Sequence, residues 1–297
     1  MDILYHASVF YFFALTSMLA YALQSALLVR YARKIDGLSL AFYRNISFLV
    51  TLLPLLLFSS REEIALVLSY WPRLLLSGIT GGVFLAFSFT AYRYIAVGVA
   101  LTMKQASITI LMTVVGVLLY AEALPPLAIA LIGVIVGTCI WLSMMRMGNA
   151  PLNRKMVLGI VFSLVAAVPL IVTNITLIDI SRLADPLTSG YFWEGGIGIG
   201  SLVIILLRSL LLKKGLQRIE RKTLLRIAAA SSPTIIGTGC YALALSMGPV
   251  SIVNAIASGS IMISALLAWR WYHEKLTRWQ WLAMVLIVGA IAGLKFV

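Results

Sequence analysis

Asp185-Pro-Leu-Thr-Ser-Gly-Tyr-Phe-Trp-Glu194 opens a long apolar run and carries a carboxylate into it. The stretch has an echo 149 positions earlier (185 against 36), Asp36-Gly-Leu-Ser-Leu-Ala-Phe-Tyr-Arg-Asn45. The Asp and Leu recur, Ser39 answers Thr188, and Phe42-Tyr43 answers Tyr191-Phe192. One copy buries Arg44 and the other buries Glu194. Each charge sits roughly 10 to 12 Å along its helix from the nearer end, at about 1.5 Å per residue. A charge at that depth in hydrocarbon costs about 2.5 kcal/mol or more unless it is partnered or hydrated. Two such charges at matching places in a repeat point to a polar path through a membrane.

The rest of the chain agrees. Of 297 residues, 62% are apolar and 11% charged, and the mean hydropathy is +1.03. A soluble domain carries about 25% charged residues, so the fold class is all-α and polytopic. Runs of about 20 apolar residues are the spanning unit. Ten are expected, near 7–29, 37–59, 74–92, 97–119, 126–145, 156–178, 186–207, 225–246, 249–269 and 279–296. The short connections leave no room for a soluble domain. The net charge of +13 does not point to nucleic acid, because the basic residues cluster at helix ends. There they act as orientation signals and contacts to anionic membrane lipids. Met1-Asp-Ile-Leu-Tyr-His has neither a basic leader nor a small-residue cleavage site, so the first span is expected to be retained. Cys139 and Cys240 lie inside spans without metal-ligand spacing, and neither a disulfide, a zinc site nor any cofactor is expected.

Further pairs extend the repeat. Gln24-Ser25 in the first span matches Thr173-Asn174 in the sixth, where Pro169 is expected to kink the helix. Glu122-Ala-Leu resembles Glu274-Lys-Leu, and Val136-Gly137 matches Val288-Gly289. The chain therefore divides into two five-helix halves, 1–147 and 153–297, around a joint at Met147-Gly-Asn-Ala-Pro-Leu-Asn153. Five spans per half force the second half into the membrane from the opposite side. Inverted halves that rock about a site near the midplane are a transporter architecture. The odd-numbered connections hold seventeen Lys and Arg; the even-numbered ones hold Arg61, Arg73 and Arg182. By the positive-inside rule the odd connections are cytoplasmic and both termini external.

Arg44, Asn45, Lys104 and Gln105 lie within about two helical turns of one membrane face, with Arg93 nearby, and form a candidate cationic vestibule for a carboxylate or phosphate. The bland alternative has Lys104 snorkelling to the surface and Arg44 bonding a helix-end carbonyl. Glu194 approaches from the other face beside Tyr191 and Trp193. It is a candidate to hold an ammonium group against aromatic faces, to carry a proton, or to pair statically with Arg44. Ser251, Asn254 and Ser258 share one face of the ninth span; they either line the same cavity or bond between helices. Gln24 and Asn174 complete the candidate site. Glu122 and Glu274 sit at turns and read as structural. Gly195-Gly-Ile-Gly-Ile-Gly200 follows no strand, so its glycines serve close helix approach rather than a dinucleotide. No nucleophile–base or metal motif occurs, His6 and His273 are peripheral, and an enzyme is not expected.

Ala-Phe-Tyr-Arg-Asn around Arg44, Ala91-Tyr-Arg-Tyr-Ile-Ala-Val-Gly98, and Glu122 with Gly133 and Gly137 resemble the drug/metabolite transporter superfamily, EamA-like branch. Cys240-Tyr-Ala-Leu-Ala-Leu-Ser-Met-Gly-Pro249, Glu274 and Gly289 continue the resemblance in the second half. It implies a central cavity lined by spans 1–4 and 6–9, with spans 5 and 10 peripheral, and movement of amino acids, nucleotide-linked or other small metabolites. Two features depart from the family pattern. Lys104-Gln-Ala-Ser and Ala257-Ser-Gly-Ser stand where the family commonly has an early proline, and the charge count opposes the family's usual termini-inside orientation. The expected function is secondary transport of an amino acid or related zwitterion, with proton coupling at Glu194 as one option. The alternatives are an anionic metabolite, a membrane scaffold, or a lipid-precursor flippase. The expected setting is an integral position in a membrane, the cell (inner) membrane if the source is bacterial, as a monomer or homodimer.

Overall fold

Asp36 and Asp185 begin the second helix of each half in the same way. Both have extended backbone, and each carboxylate accepts from an amide three residues on, Ser39 N at 3.2 Å and Thr188 N at 2.6 Å. A carboxylate there satisfies an otherwise unpaired N–H and faces the positive end of the helix dipole.

The computed structural model describes residues 2–32, 34–95, 97–147, 154–272 and 277–296. Ten of its helical segments are long and apolar enough to cross a membrane. In chain order these spans are Val9–Ala32, Gly37–Phe58, Trp71–Tyr94, Val99–Leu119, Pro126–Met145, Arg154–Leu183, Pro186–Leu212, Arg221–Met247, Val250–Trp271 and Arg278–Phe296. Each overlaps the run expected from hydropathy, and no strand occurs among the described residues. The chain is an all-α, multi-pass integral membrane protein. Glu274, His273 and most of the joint between the halves (148–153) lie outside the described residues.

Which connections meet reveals the direction of each span. The 1–2 connection touches the 7–8 connection: Asp36 pairs with Arg208 at 2.8 Å, and its amide donates to Gln217 Oε1 at 2.7 Å. The 2–3 connection meets the neighbourhood of the 6–7 connection through the Ser59 and Thr188 hydroxyls at 2.5 Å and the Arg73–Asp179 pair at 3.6 Å. The 4–5 connection meets the start of the ninth span, where Glu122 accepts from the amides of Val250 and, at 3.1 Å, Ser251. Odd and even connections therefore occupy opposite ends, and the two halves are inverted.

Two hydrogen bonds join residues at identical repeat positions, 149 apart: Asn45 with Glu194, and Thr109 with Ser258. A residue can touch its own counterpart only near the axis that relates the halves. That axis runs between spans 2 and 7 and between spans 4 and 9. At this offset the counterpart of Glu194 is Asn45, and that of Arg44 is Trp193.

Proline and glycine set the breaks in these helices. The sixth span is split into Arg154–Val165 and Ala167–Leu183, because Pro169 has no N–H for the Val165 carbonyl. The eighth is split at Pro233 and the ninth at Gly259. The Pro233 break was not anticipated from the sequence, and neither was the short helix Arg61–Ser69, although Ser60-x-x-Glu63 is a complete capping box. Glycine also sets the closest packing. A Cβ at Gly196 would lie 3.0 Å from the Leu74 carbonyl oxygen, and one at Gly200 would strike the Gly78 carbonyl. Spans 3 and 7 can touch along their backbones only because these positions are bare. Spans 5 and 10 pack on each other, with Leu131 against Gly293 and Trp141 edge-on to Trp279 at 6.1 Å. Neither contributes a residue to the central cavity.

Candidate functional site

Arg44 and Glu194 meet where spans 2 and 7 cross. Their side chains are 8% and 2% exposed, and the ion pair is 3.4 Å long. Every polar atom of the pair has further partners. Asn45 Nδ2 donates to the Glu194 carboxylate and to its main-chain oxygen, both at 3.1 Å. Arg44 Nη1 donates to Asn45 Oδ1 at 3.0 Å. The Thr238 hydroxyl donates to Glu194 Oε1 at 3.1 Å and lies 2.9 Å from the Tyr21 hydroxyl. With its amide oxygen turned to the guanidinium, Gln24 accepts from Arg44 Nε at 2.6 Å. Phe48 closes the stack, its ring centroid 4.6 Å from the Arg44 guanidinium carbon. A buried charge pair is tolerable when its remaining hydrogen-bonding capacity is met in this way.

Above the pair lies a cavity of about 190 Å³, lined by spans 1–4 and 6–9. Its charged lining consists of Arg44, Lys104 and Glu194 among the described residues. Aromatic rings of Phe84, Phe89, Tyr92, Trp193 and Tyr241 form much of the rest. Lys104 Nζ rests 5.0 Å from the Phe84 ring centroid and makes no ion pair among the described residues. One polar chain crosses the far wall: Asn174 Nδ2 donates to the Tyr241 hydroxyl at 3.3 Å, which donates to Asn254 Oδ1 at 3.1 Å. Trp193 is held by its indole N–H, which donates to the Thr173 carbonyl at 2.9 Å.

The cavity reaches Val29, Tyr92 and Leu101, within about a turn of the odd-connection end. The even-connection end is tied shut. There Tyr120 donates to Asp179 at 2.9 Å, and Arg182 lies over the Tyr120 ring at 4.8 Å. Arg182 also donates to the Leu245 and Gly248 carbonyls at 3.2 and 3.3 Å.

Of the residues singled out from sequence, Gln24, Arg44, Lys104, Gln105, Asn174, Trp193, Glu194 and Asn254 converge on this cavity. Asn45 stands one layer behind, holding Glu194. Tyr191 faces away, its hydroxyl donating to the Leu49 carbonyl at 3.2 Å. Ser258 is turned to Thr109 and to the Asn254 carbonyl, so it joins helices rather than facing the cavity. Arg93 is exposed and forms no part of the lining. Ser251 is fully buried and lies outside the lining. Sequence reasoning missed Tyr21, Phe84, Ser88, Tyr92, Thr238 and Tyr241. The spacing of Phe84, Ser88 and Tyr92 at i, i+4, i+8 puts them on one helix face. Aromatic residues in a span carry no mark that separates a cavity wall from a lipid-facing surface. Among the described residues no group of three or more His, Cys, Asp and Glu side chains is placed to hold a metal.

A family model described as the EamA-like transporter family matches the chain twice, over residues 9–144 and 156–296. No curated protein matches the chain. A solved crystal structure is similar over 98% of this chain and 96% of its own, with a TM-score of 0.70 and 18% identity. At that identity the likeness speaks for the fold alone.

Proposed function

The chain belongs to the EamA-like transporter family, and from that premise we propose that it is a secondary transporter of a small polar metabolite, with amino acids and related zwitterions the leading class. The observation that carries the reading is the cavity at the repeat axis, with a carboxylate, two cations and aromatic faces in its lining. Lys104 supplies positive charge for a substrate carboxylate, and Arg44 adds to the positive potential from the cavity floor. Glu194, which shares the cavity lining with Trp193 and Tyr241, supplies a partner for an ammonium group or a site for a proton. Alternating access follows from the inverted halves. The ties from Tyr120 and Arg182 give way at one end while spans 2 and 7 pivot about the Asn45–Glu194 contact.

A second reading has one observation in its favour. The lining carries two cations, Lys104 and Arg44, against the single carboxylate of Glu194, and the excess positive charge suits an organic anion. In that case Glu194 serves the proton alone. Flux measurements on proteoliposomes, screened with amino acids, nucleotides and organic acids, separate the two readings. Absence of saturable uptake for every compound would leave a scaffold in place of a transporter.

We also propose that the odd-connection end, with Arg208 to Arg226, faces the cytoplasm of a cell membrane, so that the cavity is open inward in this state. A single cysteine at Arg218, in a background lacking Cys139 and Cys240, should resist an impermeant reagent applied to intact cells. Rapid labelling from outside would reverse the assignment.

A further inference from the structure

The polar groups of the cavity fall into two sets. On the floor, Arg44, Asn45, Glu194, Thr238 and Tyr21 are bonded to one another. On the wall formed by spans 3 and 4 the situation is reversed. Seven buried side-chain oxygens among the described residues have no hydrogen-bond partner: those of Tyr11, Ser17, Tyr31, Ser88, Ser201, Ser231 and Ser251. Of these residues, Ser88 alone lines the cavity. A serine in a helix commonly turns its hydroxyl back to a carbonyl one turn earlier, as Ser47, Ser107 and Ser163 do here. Ser88, 2% exposed, does not. An orphaned buried hydroxyl costs about 1 to 3 kcal/mol, and in a residue of the cavity lining a side-chain rotation that brings it to an entering acceptor would recover that cost.

Lys104 stands against the same wall. Its ammonium rests on Phe84, which is one helical turn before Ser88 on span 3. A ring face satisfies part of an ammonium and leaves N–H donors directed elsewhere. Gln105, next in sequence and also in the lining, adds an amide. A cation, a hydroxyl and an amide on one wall are donors suited to an oxyanion. Arg44, by contrast, already has Glu194, Asn45, Gln24 and Phe48 around it. Docking an anion there requires breaking bonds that docking at Lys104 does not.

Building on the transporter reading above, we infer that the substrate's carboxylate docks between spans 3 and 4 on Lys104 and Ser88, while Arg44 remains with Glu194. The Arg44–Glu194 pair then forms the floor of the site, and the anionic pole of the substrate points away from it. This places the amino group of a zwitterion towards Glu194 and the Asn174–Tyr241–Asn254 chain. The two poles of such a substrate bridge the halves, because spans 3 and 4 belong to the first and Glu194, Tyr241 and Asn254 to the second.

The test uses the full chain in lipid nanodiscs and follows carbamylation of Lys104 by cyanate, read by peptide mass spectrometry. Benzoate is the probe, and benzamide is its uncharged match in shape. Benzoate should slow modification of Lys104 saturably, by about tenfold or more at saturation, with no effect on Lys213 or Lys214 at the surface. Benzamide should leave Lys104 unprotected. Ser88→Ala should raise the half-protecting benzoate concentration about tenfold, the scale of one hydrogen bond to a charged group, and Ser88→Thr, which keeps the hydroxyl, should restore it. Equal protection by benzamide, protection by inorganic phosphate but not benzoate, or protection unchanged in Ser88→Ala would each overturn the assignment. The amino-acid reading fails separately, by absence of amino-acid flux while benzoate still protects Lys104.

Discussion

Asn45 and Glu194 occupy the same position of the two repeats, and they bond to each other. The Asn45 amide reaches both the side chain and the main chain of its counterpart, at 3.1 Å in each case. One half thus contributes a neutral amide and the other a carboxylate at the repeat axis, and Arg44 compensates the charge.

Neutralising one member of this pair should destabilise the protein more than neutralising both. Arg44→Gln or Glu194→Gln alone leaves a buried unpaired charge, an effect of about 3–5 kcal/mol in soluble proteins. The double variant should recover part of the loss in thermal-unfolding measurements. Glu194→Gln should also weaken flux of a zwitterion yet leave counterflow of an anionic substrate intact. A double variant no more stable than either single one would show that the charges are not energetically coupled.

Loosening the closed end should expose the cavity from that side. Arg182→Gln removes two bonds to carbonyls of the 8–9 corner. A cysteine replacing Ala257 in the cavity lining, with Cys139 and Cys240 absent, should then react about tenfold faster with reagent added at that end. Labelling unchanged by Arg182→Gln would mean that the seal lies elsewhere.

Gly78 and Gly200, where spans 3 and 7 touch backbone to backbone, should tolerate no side chain. Gly200→Ala drives a methyl into the Gly78 carbonyl and should cost about 1–3 kcal/mol, the usual range for overpacking. Gly137→Ala meets nothing within 4 Å and should be neutral or slightly stabilising, since alanine favours the helix. Melting temperatures of the two variants against wild type give the comparison.

Asp36 ties stability to pH at the odd-connection end. Burial pushes its carboxyl up, but hydrogen bonds from Arg208 and Ser39, with the Arg208 charge, outweigh burial and hold its pKa below the ordinary 3.8. The folded pKa is depressed, so the stabilisation is complete above the unfolded value and disappears as pH falls through the folded one. Wild type should therefore melt above Asp36→Asn by a constant margin from neutral pH to about 4, and the margin should close at lower pH. A margin that also shrinks towards neutral pH would assign the effect to another group.

The sequence by itself determined the number of spans, the two halves and their inversion. Apolar run length is imposed by membrane thickness, and an odd count per half admits only one relation between them. It also marked Arg44, Glu194 and Lys104, because a charge inside a span is costly enough to be conspicuous in a single chain. The Asp36 and Asp185 caps were legible for the same local reason. What only the tertiary structure decided is which polar groups are already spent on one another. Tyr191 and Ser258 have the right chemistry and nearly the right depth. Their direction depends on helix rotation and on the partners Leu49 and Thr109, which sequence spacing does not fix. Thr238 and Tyr241 became site residues through contacts 44 and 13 positions away in the chain. Ser88 differs from the other helical serines without a partner only in lining the cavity, a property that exists once every neighbour is in place.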